Sequence, residues 1–226
     1  LMYDWDWEGA ERAFERAIEL NPSNAKVHVD LAGYLTAMGR QEVAIAAAER
    51  ATELDPLTGF WRITQAWALL FNDRPREALE VLESSLRLYP ELSAWAYNHM
   101  AWAHTKLDQG EAACAAYDSA LARVDDEAVL VGGAAHVFGR FGRTEDARRM
   151  IAALDVMRDE GYLDPWCYSF AYDGLGEIDS AAVWLERAFA ERSPSLWGMR
   201  FDLWSDAFRA DPRFQAVVAG MNYPAP

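Results

Sequence analysis

The stretch DWDWEGAERAFE, residues 4–15, sets Asp4, Asp6, Glu8, Gly9 and Glu15 near the spacing of a twelve-residue calcium loop. Glu8 stands where such loops use Asp or Asn, and acidic side chains equally suit a first helical turn, where they complement the helix dipole. Of the four histidines, His28, His99, His104 and His136, only His99 and His104 are close in sequence. Five residues place them about 140° apart on a helix, a poor bite for one metal, whereas a zinc helix uses i, i+4. They read as core or groove histidines. GLGEID, residues 174–179, lacks the last Gly of a dinucleotide fingerprint, and GGAAHVFGRFG, residues 132–142, has no P-loop Lys. No G-x-S-x-G elbow is present, and no Cys or Ser has a legible base partner. The expectation is a chain that is not an enzyme and uses no metal or cofactor.

The elements that carry these residues follow a strict period. Prolines close apolar helical runs at Pro22, Pro56 and Pro90, in ELNP, ELDP and RLYP, each 34 residues after the last. A small residue recurs in the same register at Ala10, Ala44, Ala78, Ala113, Ala147 and Ala181, with one residue inserted near Leu92 or Ser93. Four positions on come Phe14, Leu82, Tyr117, Ile151 and Leu185, with Ala48 the exception, and three further on Ala17, Ala51, Ser85, Ala120, Leu154 and Ala188. This i, i+4, i+7 stripe is one helix face, and it requires a continuous helix through Ala10, Phe14 and Ala17 that a calcium loop would break. A second small column, Ala32, Ala66, Ala101, Ala135 and Ser169, lies twelve residues upstream in another apolar helical run. Turn residues separate the two: Gly39, Asn72-Asp73, Gly110, Gly142 and Gly176.

Composition agrees with an all-helical protein. The 226 residues are 52% hydrophobic, with 10 Trp and few β-branched runs. With 21 basic against 36 acidic side chains the net charge is -15, which disfavours direct nucleic-acid binding. Cys114 and Cys167 fall in apolar helical patterns and suit a reducing compartment, so the expected location is cytoplasmic. No apolar run is long enough to span a membrane.

A 34-residue helix-turn-helix unit with small-large-small columns and a closing Pro resembles the tetratricopeptide repeat (TPR). The resemblance implies a right-handed superhelical solenoid of antiparallel helix pairs, built as a single domain over 1–226. It divides into a half repeat at 6–24 and full repeats at 25–58, 59–92, 94–127, 128–161 and 162–195. The fifth unit carries a longer tail, DVMRDEGYLDP. Asp211-Pro212 marks the start of a last short helix, read as part of a C-terminal cap over 196–226 that covers the final repeat. Because the first unit lacks its first helix, the chain is expected to be a fragment of a longer polypeptide. It is similar to TPR regions attached to bacterial adenylate cyclases, serine/threonine kinases and winged-helix regulators.

In this family the first helix of each pair lines a concave groove. The resemblance assigns partner-binding positions to Phe60, Ile63, Trp67, Trp95, Asn98, Trp102, His136, Trp166 and Phe170. Trp95 and Trp102, seven apart, share a helix face, as do Phe60 and Trp67, and Asn98 is suited to bond a peptide backbone. The same aromatic row is also suited to packing between helices. Val29, Gly33 and Thr64 occupy the positions where the chaperone-binding subclass keeps a Lys and Asn residues, so that carboxylate clamp is missing. The expected function is a non-catalytic module that binds a peptide or protein segment in the groove. The alternatives are a regulatory or self-association arm, docking through the open first repeat at Phe14 and Ile18, and a small-molecule or signal-peptide receptor.

Overall fold

A computed structural model of the chain describes residues 5–124, 127–200 and 203–224. Among the described residues there are α-helices, two short 3-10 helices and no strand. The helices are α1 (Trp7–Leu20), α2 (Ala25–Ala37), α3 (Gln41–Leu54), α4 (Phe60–Phe71), α5 (Pro75–Leu88), α6 (Ser93–Lys106), α7 (Gly110–Leu121), α8 (Ala128–Arg140), α9 (Thr144–Glu160), α10 (Pro165–Gly174), α11 (Ile178–Ala190), α12 (Asp206–Arg209) and α13 (Pro212–Gly220). From α2 to α11 they pack as consecutive antiparallel pairs, and each pair stacks on the next to form a solenoid.

The two small columns make this stacking possible. Ala44, Ala78, Ala113, Ala147 and Ala181 are fully buried, and so are Ala32, Ala66, Ala101 and Ala135 on the facing helices. Ser169, the polar member of the second column, is satisfied by donating its Oγ–H to the carbonyl of Ala181 at 2.9 Å.

Each pair turns on one left-handed residue: Gly39 (φ 73°), Asp73 (62°), Asp108 (55°), Gly142 (82°) and Gly176 (72°). The residue after each one donates its N–H back across the helix end, as Arg40 does to Leu35 at 2.9 Å and Gln109 to His104 at 2.9 Å, which is the Schellman closure. In the third full pair the turn residue is therefore Asp108 rather than Gly110, which already begins α7.

The inserted residue near position 92 is absorbed by a 3-10 turn, Pro90–Leu92, that leads directly into α6. The longer tail of the fifth unit is partly helical, α9 running 17 residues to Glu160.

Consecutive first helices, α2, α4, α6 and α8, pack against one another as well as against their partners, so they form the inner wall. The glycines of α8 serve this packing. A Cβ on Gly139 would lie 2.7 Å from the backbone of Gly174, and one on Gly174 would lie 2.2 Å from the carbonyl of His136.

α1 is a continuous helix with Asp6 as its N-cap, accepting from the N–H of Gly9 at 2.9 Å. Asp6 thus has a capping role, while Asp4 lies outside the described residues. Of the apolar face of α1, expected to be open, only the start is buried, at Trp7 and Ala10, while Phe14 and Ile18 are half-buried. Trp7 is buried, its Nε1 donates to the carbonyl of Met221 at 2.8 Å, and its ring stacks on Tyr223 at 4.7 Å. Trp5 stacks on Phe189 of α11 at 4.9 Å. The first and last elements of the solenoid therefore meet.

Candidate functional site

The inner wall carries a groove of about 740 Å³. Four register positions of three successive first helices build it: Lys26, Phe60 and Trp95; Val29 and Ile63; Asp30, Thr64 and His99; and Gly33 and Trp67. Trp7, Ala10 and Phe14 of α1, with Tyr34 of α2, close one side, and Trp197 closes another. Of the residues expected at the groove, Phe60, Ile63, Trp67 and Trp95 line it. Phe60 is exposed at the rim and Ile63 forms the floor.

The other five do not line it, which corrects the expectation. Asn98 is fully buried and its Oδ1 accepts the hydroxyl of Tyr117 at 2.9 Å, so this oxygen is already engaged. Trp102 is buried, donates its Nε1–H to the same Tyr117 oxygen, and packs edge-on to Phe71. His136 and Phe170 are 1% exposed and stacked ring on ring at 3.9 Å. Trp166 stacks on Phe170 at 4.9 Å and meets Trp204 edge-on.

Around His136, Trp166 and Phe170 the cause is the chain's own C-terminal segment, whereas Asn98 and Trp102 are buried by Tyr117 and Phe71 of the repeats. Trp204 packs edge-on against Phe170, and Ser205 donates its N–H to Asp173 of α10 at 3.0 Å and its hydroxyl to the other carboxylate oxygen. Upstream, the hydroxyls of Ser193 and Ser195 both donate to Asp164 Oδ2, at 2.8 and 2.7 Å. Between these anchors the 3-10 turn Pro194–Gly198 carries Trp197 against Trp67, with ring centroids 5.3 Å apart, and to 3.4 Å from where a Cβ on Gly33 would lie.

The segment also extends the hydrophobic core: Leu196, Met199, Trp204 and Phe208 are buried. Burial of each large apolar side chain is worth roughly 1.5–3 kcal/mol, so lifting the segment would cost on the order of 6–12 kcal/mol. It is a fixed wall of the groove. Its anchors α12 and α13 pack on α11, so the cap covers the final repeat and also fills the inner face of the later repeats.

The column Gly33, Trp67, Trp102, His136 and Phe170 therefore divides, its first two members facing the groove and the other three lying under core or C-terminal segment. Sequence reasoning assigned no groove role to Trp7, Tyr34 or Trp197, and read His99 only as a core or groove histidine. His99 shares a register position with Asp30 and Thr64, a periodic signal that was available. Trp197 lies outside the repeats and has none.

Polar groups in the wall are mostly engaged. Lys26 Nζ pairs with Asp30 at 2.7 Å, the Thr64 hydroxyl donates to the Phe60 carbonyl at 3.2 Å, and Tyr34 donates to Glu11 at 3.3 Å. His99 is held with Nδ1 2.7 Å from the carbonyl of Trp95, and burial lowers its imidazole pKa to about 4. Burial likewise pushes the imidazole of His136 down, against the opposing pull of Asp173, and raises the thiol of Cys167. Among the described residues no cluster of three His, Cys, Asp or Glu side chains is placed to hold a metal ion, and no helix is long and apolar enough to cross a membrane.

Residues 25–56, the pair α2 and α3, match the tetratricopeptide repeat model. The chain carries a tetratricopeptide repeat and folds as a TPR solenoid, an architecture of protein-interaction scaffolds. No curated protein sequence matches it. Among solved structures it is similar to PilW, described as a widely conserved type IV pilus biogenesis factor, with a TM-score of 0.59 at 16% identity over 94% of this chain and 91% of that one. It is similar to PilF of Pseudomonas aeruginosa, with a TM-score of 0.54 at 16% identity over 95% of this chain and 90% of that one. Against the APC/C hetero-tetramer Cut9-Hcn1 the TM-score is 0.64 at 12% identity, covering 98% of this chain and 47% of that one. At such identities the likeness is one of fold.

Proposed function

We propose that this chain is a non-catalytic interaction module that holds a peptide or protein segment in the groove between α1, the first helices of the early repeats and Trp197. The observation that carries this reading is the groove itself, about 740 Å³ of space lined by seven aromatic side chains. Concave apolar surfaces of this size are where ligand groups are buried, and Trp and Tyr are favoured anchors there. The net charge of -15 favours a neutral or basic partner. The buried free thiols Cys114 and Cys167 suit a cytoplasmic setting, where an interaction arm of a bacterial signalling protein would act.

Affinity capture with this chain, in parallel with a Trp67→Ala/Trp95→Ala variant of unchanged helical spectrum, tests the reading. A partner lost only with the variant supports it, and a partner retained by both overturns it.

A further inference from the structure

We propose that the groove is a receptor for one planar aromatic group bearing a ring N–H or O–H, so that the bound segment is anchored by a tryptophan or tyrosine side chain whose donor meets His99 Nε2. This rests on the reading of the groove as the binding site.

The acceptor is defined by geometry. A carbonyl oxygen can only accept, so the 2.7 Å contact between His99 Nδ1 and the Trp95 carbonyl places the ring proton on Nδ1. Nε2 then carries a lone pair, and it has no hydrogen-bond partner among the described residues. The ring is steadied by Trp102, edge-on at 5.4 Å, so the lone pair has a set direction. Burial keeps this imidazole neutral near pH 7, which preserves the acceptor.

The walls select the rest of the ligand. Phe60 and Trp95 offer faces and edges for a flat ring, while the Lys26 and Asp30 charges satisfy one another. The chain itself shows an indole lying on this wall, since Trp197 rests on Trp67 and over Gly33. Because Trp197 and α1 bound the space, it suits a compact anchor with its flanking residues.

The test compares indole with 1-methylindole on the unmodified chain at pH 7, by calorimetry and ligand-observed NMR. The two differ in the ring N–H. Saturable indole binding, with 1-methylindole about tenfold weaker, is the expected result, since a hydrogen bond of this kind is worth about a factor of ten. Absent indole binding, or equal binding of the two probes, overturns the proposal without relying on any variant. In a His99→Phe variant that melts cooperatively the two probes should bind alike, and retained discrimination would place the acceptor elsewhere and overturn the proposal. The groove reading fails separately: it falls if partner capture survives Trp67→Ala/Trp95→Ala, and it stands if capture is lost while the probes do not discriminate.

Discussion

The indole of Trp7 donates to the carbonyl of Met221 at 2.8 Å, joining residues 214 positions apart in the chain. Stacking of Trp7 on Tyr223 and of Trp5 on Phe189 surrounds this bond, and the Tyr223 hydroxyl donates onward to the carbonyl of Trp197 at 2.7 Å. An ordinary solenoid is held by nearest-neighbour interfaces alone. Here the two ends are coupled to each other and, through Tyr223, to the wall of the groove.

Removing that coupling should be costly. Trp7→Phe leaves the Met221 carbonyl unpaired and is expected to lower stability by about 1–2 kcal/mol. Trp7→Ala should cost about 3–5 kcal/mol, read as the shift in urea midpoint. An unchanged midpoint for Trp7→Ala would show that the end contact contributes nothing.

Trp67 and Trp102 occupy the same register position but should respond differently to truncation. Trp102→Ala removes a buried ring and its bond to Tyr117, with an expected loss of about 3–5 kcal/mol in stability. Trp67→Ala should weaken a groove ligand by about 2 kcal/mol while moving stability less. Thermal melts and binding isotherms on both variants check the contrast, which fails if the two lose stability equally.

Tyr117 accepts from Trp102 and donates to Asn98, and α8 approaches so closely that a Cβ on Gly133 would lie 2.2 Å from its hydroxyl oxygen. Gly133→Ala is therefore expected to destabilise the fold by about 2 kcal/mol or more. Tyr117→Phe removes the clashing oxygen, so the double variant should be less destabilised than the two single effects added. Strict additivity in denaturant unfolding would refute this account of the glycine.

Acid should weaken the fold through His99. Its pKa is lowered to about 4 by burial, whereas an unfolded histidine titrates near 6.5, so between these values the unfolded chain binds more protons. The contribution is fully present above pH 6.5 and is lost as pH falls towards 4, on the order of 3 kcal/mol in all. His136, also lowered, acts in the same direction. Unfolding free energies at pH 7 and 4.5 for the native chain and for His99→Gln should show a smaller acid loss in the variant, and parallel losses would count against it.

The fold was legible in the sequence because it is periodic and local. The 34-residue spacing, the buried alanine columns from Ala44 to Ala181 and the Pro stops each report on a helix or on its nearest neighbour, and such short-range requirements recur in every unit. Even so, the turn at Asp108 was misplaced at Gly110, because Asp tolerates the left-handed conformation that Gly merely advertises.

The site was legible only in part. Phe60, Ile63, Trp67 and Trp95 line the groove as their register implies, yet the same register put Trp102, His136 and Phe170 on an open groove. The fate of His136 and Phe170 depends on the aperiodic C-terminal segment around Trp197 and Trp204, whose aromatic side chains find partners in several repeats at once, while Trp102 is drawn into the core by Tyr117 and Phe71. A repeat pattern determines which face of each helix turns inward. Which inward faces stay open to a ligand is decided by what folds back over them, and that is a contact between segments far apart in sequence, on which the repeat spacing places no requirement.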